Sequence, residues 1–129
     1  MIYYVDIDGT ICSNTNGKYA DAAPIYDRIE AINSLYDDGN TIVYWTARGS
    51  VTGIDWTELT TNQLKQWNVK YHDVKLGKPH YDLFICDKAI ESETFFNEKL
   101  GILRNWNGFT VADVCQKLPN PSGNYQKTM

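Results

Sequence analysis

The chain has little cysteine, little histidine and no long apolar run. Its three cysteines, Cys12, Cys86 and Cys115, are an odd set without C-x-x-C spacing. Such a set suits neither a disulfide framework nor a cysteine-rich zinc site, so a reduced, cytoplasmic setting is expected. The two histidines, His72 and His80, have no partner in sequence and read as loop or surface residues. No apolar stretch approaches the length that crosses a bilayer. The N-terminus lacks a basic segment followed by a long apolar one, so no signal peptide is expected. Basic residues are the minority, 12 against 16 acidic, giving a net charge of -4. That balance argues against broad binding to nucleic acid or acidic membranes, although a local basic pocket is compatible with it. Repeats are absent too.

What remains describes an ordinary globular chain. It has 129 residues, 43% hydrophobic and 22% charged, which fits one domain with its own core. The expected limits are a domain over 1–118 and a disordered, Pro- and Gly-containing tail over 119–129. Short apolar runs alternate with helical patterns. IYYV reads as a first strand. Ile25, Ile29, Ile32 and Leu35 then mark one face of a helix, with Pro24 in its first turn and Gly39 at its end. TIVYW is a second strand, apolar throughout as in sheets covered on both faces. In the next helix, Asp55 and Glu58 suggest a capping box, and Trp56, Leu59, Leu64 and Trp67 lie on one broad face. VKYHDV and YDLFIC read as third and fourth strands. SETFFNEKL and TVADVCQKL read as two further helices, the first ending at Gly101. This alternation predicts an α/β fold with right-handed crossovers and a mainly parallel sheet.

In such sheets ligands bind beyond the carboxyl ends of the strands, and those ends are polar here. The first strand runs into Asp6-Ile7-Asp8-Gly9-Thr10. Residues two apart on extended chain project to one side, so Asp6 and Asp8 can face one cavity while Ile7 faces the core. Two close carboxylates are costly unless a cation or a reaction uses them. Strand two ends in Thr46-Ala47-Arg48. Lys78 precedes the expected strand four, and Cys86-Asp87 ends it. A calcium loop is a poor fit, because an EF-hand has glycine at position six rather than four. A receiver domain is also a poor fit, because its phospho-acceptor ends a later strand.

DIDGT, Thr46, Lys78 and Asp87, in that order, resemble the four motifs of the haloacid dehalogenase (HAD) superfamily of phosphatases. The resemblance spans roughly positions 2 to 90. The stretches YWTARGS and GKPHYDLFICDKA also resemble a small HAD subgroup linked to surface-polysaccharide biosynthesis. The resemblance implies a three-layer Rossmann-like fold with helices on both faces of the sheet. It also implies a Mg2+-dependent phosphomonoester hydrolase. Asp6 is then the nucleophile, forming an aspartyl-phosphate, and Asp8 the general acid and base. The metal is held by the Asp6 carboxylate, the Asp8 carbonyl and the Asp87 carboxylate. Phosphate contacts fall to Thr10, Thr46, Ala47, Arg48 and Lys78. Arg48 reads equally well as a structural ion pair.

One position departs from the pattern. Members of this type often carry two adjacent acids at the fourth motif, and here Cys86 takes the first place. Metal binding is expected to weaken or Lys78 to shift. Positions 11 to 40 and 49 to 77 hold too little chain for a cap domain, so an open site is expected. That suits a large phosphorylated substrate, or a small or medium one, a sugar phosphate among them, where a homo-oligomer closes the pocket. Two alternatives share the motifs: a polynucleotide 3'-phosphatase or nucleotidase, which the acidic charge disfavours, and a non-catalytic relic that binds a phosphorylated ligand.

Overall fold

The computed structural model describes the backbone of residues 1–100 and the side chains of residues 1–97. The chain divides into two compact units, Met1–Asp82 and Leu83–Met129.

The first unit holds a three-stranded parallel sheet in the order β1-β2-β3, formed by β1 (Ile2–Val5), β2 (Thr41–Trp45) and β3 (Asp73–Lys75). Helix α1 (Tyr26–Asp37) links the first two strands and α2 (Thr57–Gln66) the last two. The register runs from Ile2 opposite Thr41 to Val5 opposite Tyr44, and from Val43 opposite Asp73 to Trp45 opposite Lys75. Paired residues share a sheet face. Val5, Ile42 and Tyr44 therefore point one way, and all three are buried. Right-handed crossovers that step twice in one direction place α1 and α2 on the same face. Two bonds tie α1 to the chain leaving α2: Asn33 Nδ2 donates to the Asn68 carbonyl and Asn33 Oδ1 accepts from the Lys70 N–H. Ile7, Ile11, Ile29, Ile32, Leu64, Trp67 and Val69 are buried as well.

The other face carries Tyr4 and Trp45, packed edge to face at 6.0 Å, with Ile2 and Tyr4 exposed. Val43, on this same face, is nonetheless buried.

Several boundaries differ from the expected ones. Strand three was expected over 69–74 but forms at Asp73–Lys75. Val69 is drawn into the core instead, with its N–H bonded to the Leu64 carbonyl as α2 ends. The expected fourth strand does not form: YDLFIC carries no ladder, and Leu83, Phe84 and Ile85 are exposed. An apolar, β-prone run becomes a strand only where a partner takes its backbone groups. Pro24 lies before the N-cap Ile25 rather than in the first turn of α1. The Asp55 carboxylate accepts from the Thr57 N–H and hydroxyl at 2.9 and 2.6 Å, so α2 starts on a local Asp turn rather than a box with Glu58.

In the second unit, α3 (Ser92–Thr94) is capped by Glu91, which accepts from the N–H groups of Glu93 and Thr94. A wider turn over Phe95–Leu100 follows. The expected helix over 92–100 is therefore a single α turn that loosens. Gly101, the expected helix over 110–118, Cys115 and the tail over 119–129 lie outside the described residues.

Candidate active site

Beyond Val5 the chain turns sharply. The carbonyl of buried Ile7 accepts from the N–H groups of Thr10 and Ile11 at 3.1 and 3.0 Å. Gly9 sits at φ +79, where a side chain would be strained. The turn sets Asp6 and Asp8 on the wall of one cleft of about 490 Å3, together with Thr46, Ala47, Arg48 and Lys78. Thr10 does not line this cleft. It is buried, with its hydroxyl 3.5 Å from Asp6 Oδ2. A separate hollow along α2, lined by Leu59, Asn62 and Lys65, contains no carboxylate.

Thr46 joins β2 to the segment after β3. Its N–H donates to the Lys75 carbonyl, its own carbonyl accepts from the Lys78 N–H, and its Oγ1 accepts from the Arg48 N–H. With Oγ1 accepting, the hydroxyl proton is available to the cleft. The Ala47 N–H has no acceptor among the described residues. Lys78 Nζ lies 3.7 Å from Asp6 Oδ1, between the rings of Trp45 and Tyr81 at 5.7 and 5.4 Å. Two carboxylates, one hydroxyl, one amide N–H and one ammonium therefore line the cleft at the strand ends.

Arg48, which also lines the cleft, is held from within the protein. Its side chain is fully buried. Nε and Nη2 grip both oxygens of Asp8 at 2.9 Å, and Nη1 donates to Thr60 Oγ1 at 3.1 Å and to Gln63 Oε1 at 2.6 Å. Nη2 also faces Cys12 Sγ at 4.0 Å. All five guanidinium protons thus have acceptors. Gln63 Nε2 donates onward to the Tyr19 carbonyl at 2.7 Å, and the Tyr19 ring lies 4.8 Å from the guanidinium carbon.

The sequence reading missed Tyr19, Thr60 and Gln63. A signal existed for two of them. Thr60, Gln63, Leu64 and Trp67 follow the spacing i, i+3, i+4, i+7, the stripe that faces a core, and all four are buried. Two polar residues on such a stripe imply a buried polar partner.

The electrostatics separate the acids from their neighbours. Burial raises the pKa of Asp6 above the ordinary carboxylate value, with the Asp8 charge adding to the rise and Lys78 opposing it. Burial also pushes the Cys12 thiol up to about 12, helped by the Asp8 charge and opposed by Arg48. Its S–H is 3.6 Å from Asp8 Oδ1, a weak additional contact. An acid disfavoured as an anion beside a second acid suits a hard cation. Mg2+ commonly uses one or two carboxylates and keeps waters and phosphate oxygens for the rest. Among the described residues, no group of three or more His, Cys, Asp or Glu gathers as a metal cage.

Asp87 belongs to the second unit. There Cys86 Sγ lies 3.7 Å from Asp87 Oδ1 and accepts from the Lys88 N–H at 3.4 Å. Cys86 is thus both a weak donor and a weak acceptor at the position where an acid would only accept.

The fold is shared with a solved protein. A crystal structure of a structural-genomics target from Vibrio cholerae is 23% identical and covers 99% of this chain and 98% of its own, with a TM-score of 0.69. The D,D-heptose 1,7-bisphosphate phosphatase of B. bronchiseptica, solved with magnesium and phosphate, is 17% identical. It matches 82% of this chain and 63% of its own length, with a TM-score of 0.46. No protein-family model matches the chain, and neither does any curated protein.

Proposed function

We propose that the chain is a capless HAD-type phosphatase, a Mg2+-dependent hydrolase of phosphomonoesters. One observation carries the reading: Asp6, Asp8, Thr46 and Lys78, far apart in sequence, line a single cleft, with Lys78 Nζ 3.7 Å from Asp6 Oδ1. A carboxylate placed beside a cation is equipped to attack a phosphorus atom whose charge is neutralised.

In the first step an Asp6 oxygen bonds to phosphorus while the bond to the leaving oxygen breaks, and Asp8 delivers the proton that oxygen needs. In the second, water attacks the aspartyl-phosphate, Asp8 takes the proton, and Asp6 is released with inorganic phosphate. Each Asp8 oxygen bonded to Arg48 keeps a second lone pair for this exchange. The Thr46 hydroxyl and Ala47 N–H hold phosphate oxygens, and Lys78 stabilises the charge spread during transfer. The Asp6 carboxylate and the Asp8 carbonyl would hold Mg2+, which would neutralise phosphate charge when bound. Each link between strands in the first unit contains one α-helix, which supports the capless reading.

The test is phosphate release from p-nitrophenyl phosphate by the full chain, with magnesium and after chelation. The wild type is expected to turn over only with the metal, and Asp6→Asn to lose at least about a thousandfold, as removal of a nucleophile does. Equal release by Asp6→Asn would remove the assignment.

A further inference from the structure

Granting the phosphatase reading, we infer that Gln63 is a positioning residue for the reaction. Through Arg48 it aims Asp8 at the leaving oxygen, and through Tyr19 it ties that acid to the loop wall of the cleft. Gln63 lies on α2, is buried, and bonds to Arg48 and to the Tyr19 carbonyl.

Its amide has one workable orientation. Oε1 takes a proton from Arg48 Nη1 at 2.6 Å, and Nε2 gives one to the Tyr19 carbonyl at 2.7 Å. A guanidinium only donates and a carbonyl only accepts, so exchanging the two ends of the amide would break both bonds. Arg48 Nη1 carries two protons, and α2 supplies an acceptor for each: Thr60 Oγ1 at 3.1 Å and, one turn on, Gln63 Oε1. Two acceptors fix the plane of a flat group, where one would let it pivot. That plane directs Nε and Nη2 onto the two Asp8 oxygens at 2.9 Å, because a two-bond fork favours coplanar partners. Gln63 thus helps to set the plane in which the Asp8 carboxyl lies.

The other end of the amide faces the loop that leads into α1. Tyr19 begins a single turn there, Tyr19–Asp21, and Asn14, Asn16 and Gly17 of the same loop line the cleft beside it. The Tyr19 ring is held as well, 4.8 Å from the Arg48 guanidinium carbon and edge to face with Trp56 at 5.1 Å. Loop and acid therefore share one frame, and a substrate resting on the loop meets Asp8 in register. A misplacement of about 1 Å costs on the order of a hundredfold in rate.

The consequence is specific to one proton. In the first step the bond from Asp6 to phosphorus forms, the bond to the leaving oxygen breaks, and the Asp8 proton passes to that oxygen. The gain from this proton grows with the basicity of the leaving oxygen. p-Nitrophenolate is a weak base and departs with little help, whereas phenolate gains more. A misaimed Asp8 therefore slows phenyl phosphate more than p-nitrophenyl phosphate, while partial unfolding slows both alike.

The experiment measures kcat/KM of the full chain with magnesium on these two esters, which are similar in shape. Gln63→Met keeps the length of the side chain and removes both bonds. Its ratio of p-nitrophenyl to phenyl phosphate is expected to rise at least about fivefold over the wild type. Gln63→Glu keeps an acceptor for Arg48 and is expected to hold the ratio within about twofold. An unchanged ratio for Gln63→Met, or an equal rise for Gln63→Glu, overturns the inference and leaves the phosphatase reading standing. So does a wild type that turns over only p-nitrophenyl phosphate, since it has no aimed acid. Where Gln63→Met yields no folded chain, Gln63→Asn, too short to reach both partners, is read by the same rule. A wild type that releases phosphate from neither ester overturns the phosphatase reading and this inference with it.

Discussion

At the floor of the cleft, Arg48 is sealed from solvent and bonded to Asp8, Thr60 and Gln63. At the rim, Lys78 leans on Asp6 at 3.7 Å and keeps part of its side chain in solvent. Both are cations beside an acid of the same D-x-D turn. The floor pair has its hydrogen bonds satisfied internally, so it fixes geometry and offers little to a ligand. The rim pair is looser, and its bonding capacity is open to whatever enters. Similar side chains thus stand in opposite conditions two residues apart, one enclosed and one available to a ligand, and burial with donor count separates them.

Breaking the floor should have the largest effect. Arg48→Leu strands Asp8, and chemical denaturation is expected to show a loss of about 3–5 kcal/mol. A loss under about 1 kcal/mol would mean that the floor is no more than a surface ion pair. The rim should respond the other way. Lys78→Met is expected to lower kcat by about a hundredfold, the order seen when one stabilising group is removed, with stability unchanged within about 0.5 kcal/mol. A large stability loss with turnover intact would reverse the assignment of the two cations. Gln63→Leu sits between them. Losing its bonds to Arg48 and Tyr19 should cost about 1–3 kcal/mol in denaturation.

The smallest effect concerns Asp6 and pH. Its folded pKa is raised, chiefly by burial. Well below the ordinary carboxylate range the acid is protonated in both folded and unfolded chains and contributes nothing. As pH rises through the window between the unfolded value and the raised folded one, the folded chain keeps its proton longer and loses relative stability. In metal-free buffer, Asp6→Asn should therefore melt above the wild type at neutral pH, and the gap should close on acidification. A gap that widens on acidification would mean that Lys78 outweighs burial.

The contrast between floor and rim also explains what could be read from sequence. The two acids were legible because they interrupt the end of an apolar strand, where charge has no packing use. Strands β1 and β2 and both long helices were legible from periodicity. The role of Arg48 was not, because it depends on partners 12, 15 and 40 positions away that only packing selects. YDLFIC misled for a related reason: its composition suits a strand, but a ladder needs a neighbour that local pattern does not specify.

Gly49, the residue after Arg48, has φ +81, and a methyl group there would come within 2.1 Å of the Ile54 carbonyl oxygen. The chain between them folds back on itself too closely for any side chain at position 49. Protein engineers wishing to change what the cleft accepts therefore have a pinned base with a replaceable tip. Val51 and Thr52, which line the cleft, can be varied to explore new ligands, whereas altering the pin would move both at once and obscure which substitution mattered.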